Sequence, residues 1–83
     1  MPIVARIDGV KIYFYPDEHP PPHFHALFAE FVAQIRIDPP QVLHGSLPPA
    51  KLRTVLSWAT RNRDGLMAAW MAVEGNAKPE KIQ

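Results

Sequence analysis

The chain has 83 residues, which is room for one small domain with a thin core. Lys and Arg number 9 and Asp and Glu 8, so the net charge of +1 excludes the strongly basic profile of a general nucleic-acid coat. With no cysteine, disulfides, thiolate zinc sites and thiol nucleophiles are excluded. No apolar run approaches the roughly 20 residues of a membrane span, and the N-terminus has no signal pattern. We therefore expect a cytoplasmic protein without a membrane partner.

Alternating apolar and polar residues predict two β-hairpins in the N-terminal half. Residues 3–15 fold back at Asp8-Gly9, a dipeptide that suits a two-residue type I′ turn because both central residues need φ > 0. Residues 23–37 alternate in the same way around a turn at Ala29-Glu30. Asp38-Pro39-Pro40 ends the fourth strand, since proline removes backbone donors. Residues 41–45 can add a short extended piece before the helical half.

From about residue 48 the apolar residues recur at helical spacing. This pattern predicts two helices over 48–62 and 64–74, or one kinked helix. Ser46 and Asp64 are the predicted N-caps. Pro48 and Pro49 suit a first helical turn, where the missing N–H groups of proline are not needed.

Strands followed by helices define an α+β two-layer domain, with a four-stranded antiparallel sheet under a C-terminal helical pair or kinked helix. We predict a single domain over residues 1–76 and a polar tail over 77–83. Trp58 lies off the helical stripe and is predicted to flank the core or to mark a partner surface. The predicted core comprises Ile3, Ile7, Ile12, Phe14, Phe24, Phe28, Ala33 and Ile35 from the sheet, with Leu52, Leu56, Leu66 and Trp70 from the helices.

The opposite face of the sheet then collects side chains that do chemistry or bind anions. The simplest interpretation is a solvated polar face, which antiparallel sheets commonly have. The alternative is a surface that recognises a partner. The residues predicted on this face are Arg6, Lys11, Tyr13, Tyr15, His23, His25, Gln34 and Arg36.

The segment from His19 to His25 is the most distinctive feature of the chain. His23 and His25 project to the same side of a strand, roughly 7 Å apart along it. With His19 arriving from a proline-rich loop, they form a candidate site for a divalent transition metal such as zinc, nickel or copper. Asp17 or Glu18 can complete the ligand set.

Two other roles stay open for these histidines. Because histidine titrates near neutrality, His23 and His25 can act as general acid and base. In an RNA-cleaving enzyme, Arg6 or Arg36 would then stabilise the charge on the phosphate. Alternatively, the imidazoles only anchor the proline-rich loop through backbone carbonyls. His44 is expected to be unrelated to the site.

Two segments carry a family resemblance, residues 1–26 (MPIVARIDGVKIYFYPDEHPPPHFHA) and residues 44–70 (HGSLPPAKLRTVLSWATRNRDGLMAAW). Their motifs and their order resemble the bacterial domain of unknown function 4160 family (DUF4160), over about residues 1–74. The third proline in Pro20-Pro21-Pro22 and the glycine at Gly65 depart from the usual family pattern. The resemblance assigns no catalytic residue to any position.

The resemblance implies a small protein that is often encoded beside another small domain of unknown function, an arrangement like that of toxin–antitoxin pairs. Together with the Tyr/Arg/His face, it predicts an interaction or regulatory module that binds a small protein and, as a further candidate, RNA. The alternative is a metal-binding domain that uses His19, His23 and His25.

Overall fold

The computed structural model describes residues 3–82. Five strands precede two helices in the chain. The predicted α+β class, antiparallel sheet and helical pair are confirmed, whereas the predicted strand number of four is wrong. Residues 1, 2 and 83, at the ends of the predicted domain and tail, lie outside the described part. The elements are β1 (Ile3–Ile7), β2 (Val10–Tyr13), β3 (His23–Phe28), β4 (Phe31–Arg36), β5 (Gln41–Gly45), α1 (Pro49–Arg61) and α2 (Arg63–Glu74).

The sheet is an antiparallel meander with the strand order β1-β2-β3-β4-β5. The predicted tight turns are present. Asp8 and Gly9 both have positive φ, at 52° and 82°, as the type I′ geometry requires. The second hairpin turns at Ala29, whose φ is 53°, and at Glu30, between the paired residues Phe28 and Phe31.

The fifth strand exists because the prolines occupy a turn instead of ending the sheet. Residues 37–40 form that turn, where backbone donors are dispensable, and β5 then pairs with β4. At the end of β5, Gly45 has φ +77° and lies opposite Ala33. A Cβ at Gly45 would lie 2.1 Å from the carbonyl oxygen of Val32, so only glycine allows this approach of the two strands.

α1 begins one residue later than predicted, α2 begins one residue earlier, and both have different N-caps. Ser46 is not an N-cap, because its amide donates to the Val32 carbonyl and extends the sheet contact. Pro48 holds the N-cap position of α1 without a side-chain hydrogen bond, and Pro49 is the first helical residue. Asn62 separates the helices and holds the N-cap position of α2, so Asp64 lies inside the first turn.

The helices cover one face of the sheet, and the core lies between these layers. The predicted core is wrong at Ile3, because the register shifts between Ile3 and Ala5, and Val4 is buried instead. Trp58 is also a core residue, only 4% exposed, with its ring edge against Phe24. Leu52 and Leu56 are partly buried at the margin of the core. The largest fully buried side chains are Phe14, Phe24, Ile12, Ile35, Ile37, Leu66, Val4, Val10 and Val55.

The segment after α2 has no helix or strand as far as Ile82 and packs on the domain. Pro79 is buried, and Ile82 contacts the core and Gly65. The Ile82 amide donates to the Val4 carbonyl on β1. Within residues 3–82, neither helix has the length and apolar character needed to cross a membrane.

Candidate metal site on the polar face of the sheet

The face of the sheet away from the helices carries the predicted polar side chains in register. Residues that pair across antiparallel strands lie on the same face. One row of paired residues runs Tyr13, His25, Gln34, His44 from β2 to β5. The neighbouring row runs His23, Arg36, Gln41 from β3 to β5. We call this surface the polar face.

The centre of the polar face is covered rather than solvated. His23 and His25 are each 5% exposed and Tyr13 is 4% exposed. The cover is the segment between β2 and β3, residues 14–22, which we call the proline loop. Its Glu18 side chain turns inward onto both histidines.

Glu18, His23 and His25 form a group that we call the histidine cluster. Each residue offers one ligand atom, and these atoms lie within 4.8 Å of one another. The Nε2 atom of His25 is hydrogen-bonded to Oε1 of Glu18, and the Nε2 atom of His23 lies 3.4 Å from the same oxygen. Two imidazoles and one carboxylate therefore converge on one point between the sheet and the proline loop.

The two rings of the cluster are held by different contacts. The Nδ1 atom of His23 lies 2.8 Å from the carbonyl oxygen of Pro21, and the ring packs against Trp70 of α2 at a centroid distance of 5.2 Å. The His25 ring stacks on Tyr13 at 5.3 Å and meets the edge of Tyr15 at 4.7 Å. Packing on both sides fixes the direction in which each Nε2 points.

The tautomer of neutral His23 follows from its hydrogen bond. A carbonyl oxygen only accepts, so Nδ1 must carry the proton and donate it to Pro21. The lone pair of a neutral ring is then on Nε2, which is buried and has no hydrogen-bond partner among the described residues. Backbone carbonyls orient metal-binding histidines in the same manner.

Burial is the largest single effect on the pKa of the Glu18 carboxyl, and it favours the neutral form. The hydrogen bond and charge interaction with His25, and the weaker charge interaction and hydrogen bond that the protonated form of His23 makes, together outweigh it. The pKa of Glu18 is therefore lowered, and the carboxylate stays ionised at neutral pH. In contrast, burial, followed by the hydrogen bond and charge interaction with Tyr15, raises the pKa of Tyr13.

The remaining predicted site residues are not in the cluster. His19 is exposed, although it lies only a few residues before His23 in the chain. Arg36 pairs with His23 in register, but its guanidinium donates to Pro39 and Gln41. Arg6 is exposed on β1, two strands from β3, which corresponds to about 10 Å.

The cluster differs from the predicted three-histidine site in one ligand. The sequence predicts His19 as a main ligand and Glu18 only as a residue that can complete the set. The proline loop has no hydrophobic period that shows which side chains point inward, so neighbouring residues such as Glu18 and His19 are not distinguished by sequence pattern. The available signal was chemical: a carboxylate close to an H-x-H strand.

The fold and the cluster define a small α+β domain with a two-histidine, one-carboxylate group buried between its sheet and a loop. The sequence pattern of the family described as domain of unknown function (DUF4160) matches residues 9–71. The chain therefore belongs to this family, and the resemblance seen in its motifs is confirmed. The histidine cluster lies inside the matched region. Neither the curated proteins nor the solved structures contain a match to the chain.

Proposed function

We propose that this protein binds a divalent transition metal ion through Glu18, His23 and His25. The observation that carries the proposal is the buried Nε2 atom of His23. In the neutral ring it presents a lone pair, and the nearest partner is a Glu18 carboxylate oxygen at 3.4 Å. A buried acceptor left without a donor costs about 1–3 kcal/mol. A cation shared by these groups removes that cost.

The donor set suits zinc and its neighbours in the first transition row. Two imidazole nitrogens and one carboxylate oxygen are a ligand combination of catalytic zinc sites, which leave a fourth position open. Imidazole ligands also suit nickel, copper and cobalt. On metal binding, His25 must release the Nε2 proton that it shares with Glu18, so uptake of the ion is coupled to proton release.

Anchoring of the proline loop is compatible with this function. The bonds of His23 to Pro21 and of His25 to Glu18 hold the loop on the sheet. A metal ion would replace the second bond by coordination and keep the loop in place. Because bonds within the protein already hold the loop in this position, forming the site has a lower entropy cost.

Trp70 supplies a direct test, because its ring contacts the ring of His23. Nickel or copper at the cluster should quench Trp70 fluorescence in protein purified without a histidine tag. Trp70→Phe should remove that response, while Trp58 of the core remains as an internal emitter. His23→Ala and His25→Ala should abolish quenching at stoichiometric metal.

Two further variants separate the cluster from the predicted three-histidine site. His44→Ala is the matched control, since it removes an imidazole outside the cluster and should leave quenching unchanged. His19→Ala should also leave it unchanged. Quenching that survives both His23→Ala and His25→Ala would refute the proposed site. Quenching lost with His19→Ala but retained with Glu18→Ala would favour the three-histidine set.

A second proposal concerns partners. We infer that the chain serves as an interaction module of a toxin–antitoxin-like pair in the bacterial cytoplasm. The supporting observation is that Phe31 and Val32, at the start of β4, are 36% and 45% exposed on opposite faces of the sheet. Exposed apolar side chains on both faces at one end of a strand favour a protein partner that contacts that end of the sheet. The buried Tyr13, His23 and His25 would contribute to binding only if the proline loop moved.

The partner proposal is tested by co-expression with the product of the neighbouring gene. A complex on size-exclusion chromatography that is lost in the double variant Phe31→Ser, Val32→Ser would support it. Met71→Ser is the control, because Met71 is 68% exposed on α2. No complex, or one that the double variant leaves intact, would exclude the start of β4 as the contact for a partner.

RNA is the other proposed partner. The proposal that His23 and His25 cleave RNA, with Arg6 or Arg36 stabilising the phosphate charge, predicts that His25→Ala abolishes any growth arrest caused by expressing the chain alone. Loss of cleavage with the fold intact, measured on purified protein in a chelator, would assign the histidines to acid–base chemistry. Retention of cleavage would exclude that role.

A further inference from the structure

A small depression lies directly beside the histidine cluster, between the proline loop and strands β4 and β5. Its volume is about 230 Å³. The loop contributes residues 18–21, and the sheet contributes His23, Gln34, Leu43 and His44. Glu18 and His23 therefore belong both to the cluster and to the wall of the depression.

The register explains why polar side chains reach this depression. Gln34 is paired with His25 on one side and with His44 on the other, so all three lie on the polar face in one row. The row therefore continues from the cluster residue His25 into the depression. His44, predicted to be unrelated to the site, is its outermost member.

The polar groups of this depression are available to a ligand. Among residues 3–82, the Gln34 amide and the His44 and His19 rings have no side-chain hydrogen bond within the protein. They come from three separate segments: β4, β5 and the proline loop. Leu43 and Pro21 form apolar walls, and the only carboxylate in the lining is Glu18, which belongs to the cluster.

We propose that the depression binds a phosphate group, one oxygen of which completes the coordination of a metal ion held by the cluster. This inference rests on the proposed metal site. A divalent ion with one carboxylate ligand keeps a net charge of +1 and an open position, which attracts an anion. Amide and imidazole N–H donors from three segments match a tetrahedral group with several acceptor oxygens better than a planar carboxylate with two.

The size of the depression limits the ligand to one group. Pockets that enclose a whole small molecule measure about 300–1,000 Å³. The smaller volume here fits a terminal phosphate, while the rest of a phosphate monoester would extend over the exposed rim at His19 and His44.

The test uses cobalt as the probe metal, because its visible absorption reports changes of coordination. Inorganic phosphate is titrated into the full-length protein loaded with Co²⁺. We expect a saturable spectral change, weakened at least tenfold in Gln34→Leu and in His44→Ala, with Co²⁺ affinity unchanged in both. Arg53→Gln is the control for general anion attraction, since Arg53 is exposed on α1, and it should behave as the wild type.

The outcomes separate this inference from the metal site. If Co²⁺ fails to bind the wild type, both proposals fall. If Co²⁺ binds but phosphate causes no saturable change, or both variants bind phosphate like the wild type, the depression is not a phosphate site and the metal site stands. If acetate binds as tightly as phosphate, the specificity for a tetrahedral group is refuted.

Discussion

The two faces of the sheet are buried by different means. On the helix side, Val55 and Leu66 are fully buried and Trp58 nearly so, in an apolar layer that needs no particular hydrogen bond. On the opposite side, His23 and His25 are just as inaccessible, but a nine-residue loop covers them and polar bonds hold it. Apolar packing tolerates small shifts, whereas a buried polar group must find a partner. The polar face leaves one such group without a hydrogen bond, at Nε2 of His23, and that is where function is expected.

The largest expected effect comes from the residue that touches both regions. Trp70 packs in the helix layer and places its ring on His23. Trp70→Ala should cost about 3–5 kcal/mol of unfolding free energy, which approaches the whole stability of a domain this small. Urea unfolding measures it, with Trp70→Phe as the milder variant for the case in which the alanine protein does not fold. An unchanged midpoint for Trp70→Ala would show that the two faces are not joined at this ring.

Metal should stabilise the folded domain through ligands on the polar face alone. Zinc at a hundredfold excess over its dissociation constant should raise the unfolding free energy by about 2.7 kcal/mol, because the unfolded chain does not preserve the site. His25→Ala should abolish the rise in melting temperature, and His44→Ala should retain it. The rise should also vanish in acid, since protonated imidazoles are not ligands. Equal stabilisation of His25→Ala would contradict the assigned ligands.

The polar face should be more sensitive to pH than the helix side in the absence of metal. Glu18→Ala removes the partner of His25, and we expect a loss of about 1–3 kcal/mol at neutral pH. The folded pKa of Glu18 lies below its ordinary value of 4.5. The free energy of unfolding contributed by ionised Glu18 is therefore fully present above pH 4.5. It is lost as the pH falls through the pKa of Glu18 in the folded protein. Urea unfolding in the presence of a chelator measures this from neutral pH down to about pH 3. The unfolding free energies of the wild type and of Glu18→Ala should converge as the pH falls. A difference in unfolding free energy that stays constant across this pH range would mean that the charge of Glu18 does not hold the loop.

The difference between the two faces also explains what the sequence could predict. Hydrophobic periodicity identified the first four strands, both helices and most of the core. Burial in these elements follows the regular spacing of apolar residues, every second residue in a strand and every third or fourth in a helix. The periodicity predicted only a short extended piece in place of β5, since Pro39 and Pro40 indicated the end of the sheet although they lie in a turn. It placed Ile3 in the core because a register shift leaves no trace in the composition of one strand.

The candidate site was predictable only in part, for the same reason. His23 and His25 lie on a strand, where the period of two places them on one side. Glu18 lies in a loop in which Asp17 has φ +61°, so the chain turns there and no period relates one side chain to the next. The depression beside the cluster was not predictable either. His44 lines it because β5 pairs with β4, and the sequence pattern did not predict that pairing.

The smallest expected effect concerns an electrostatic contact at the rim of the helix side. Lys51 of α1 donates to the Asp8 carbonyl at 2.8 Å, pairs with its carboxylate at 3.1 Å and lies 4.7 Å from the centroid of the Phe28 ring. The Asp8 side chain is 56% exposed, so solvent and salt weaken the pair. Lys51→Met keeps most of the apolar stem and should cost only about 0.5–1 kcal/mol. Arg53→Met, on the same helix, is the control and should be nearly neutral. If Lys51→Met proved as costly as Glu18→Ala at neutral pH, polar contacts would support the helix side as strongly as the loop side, and the contrast between the faces would not hold.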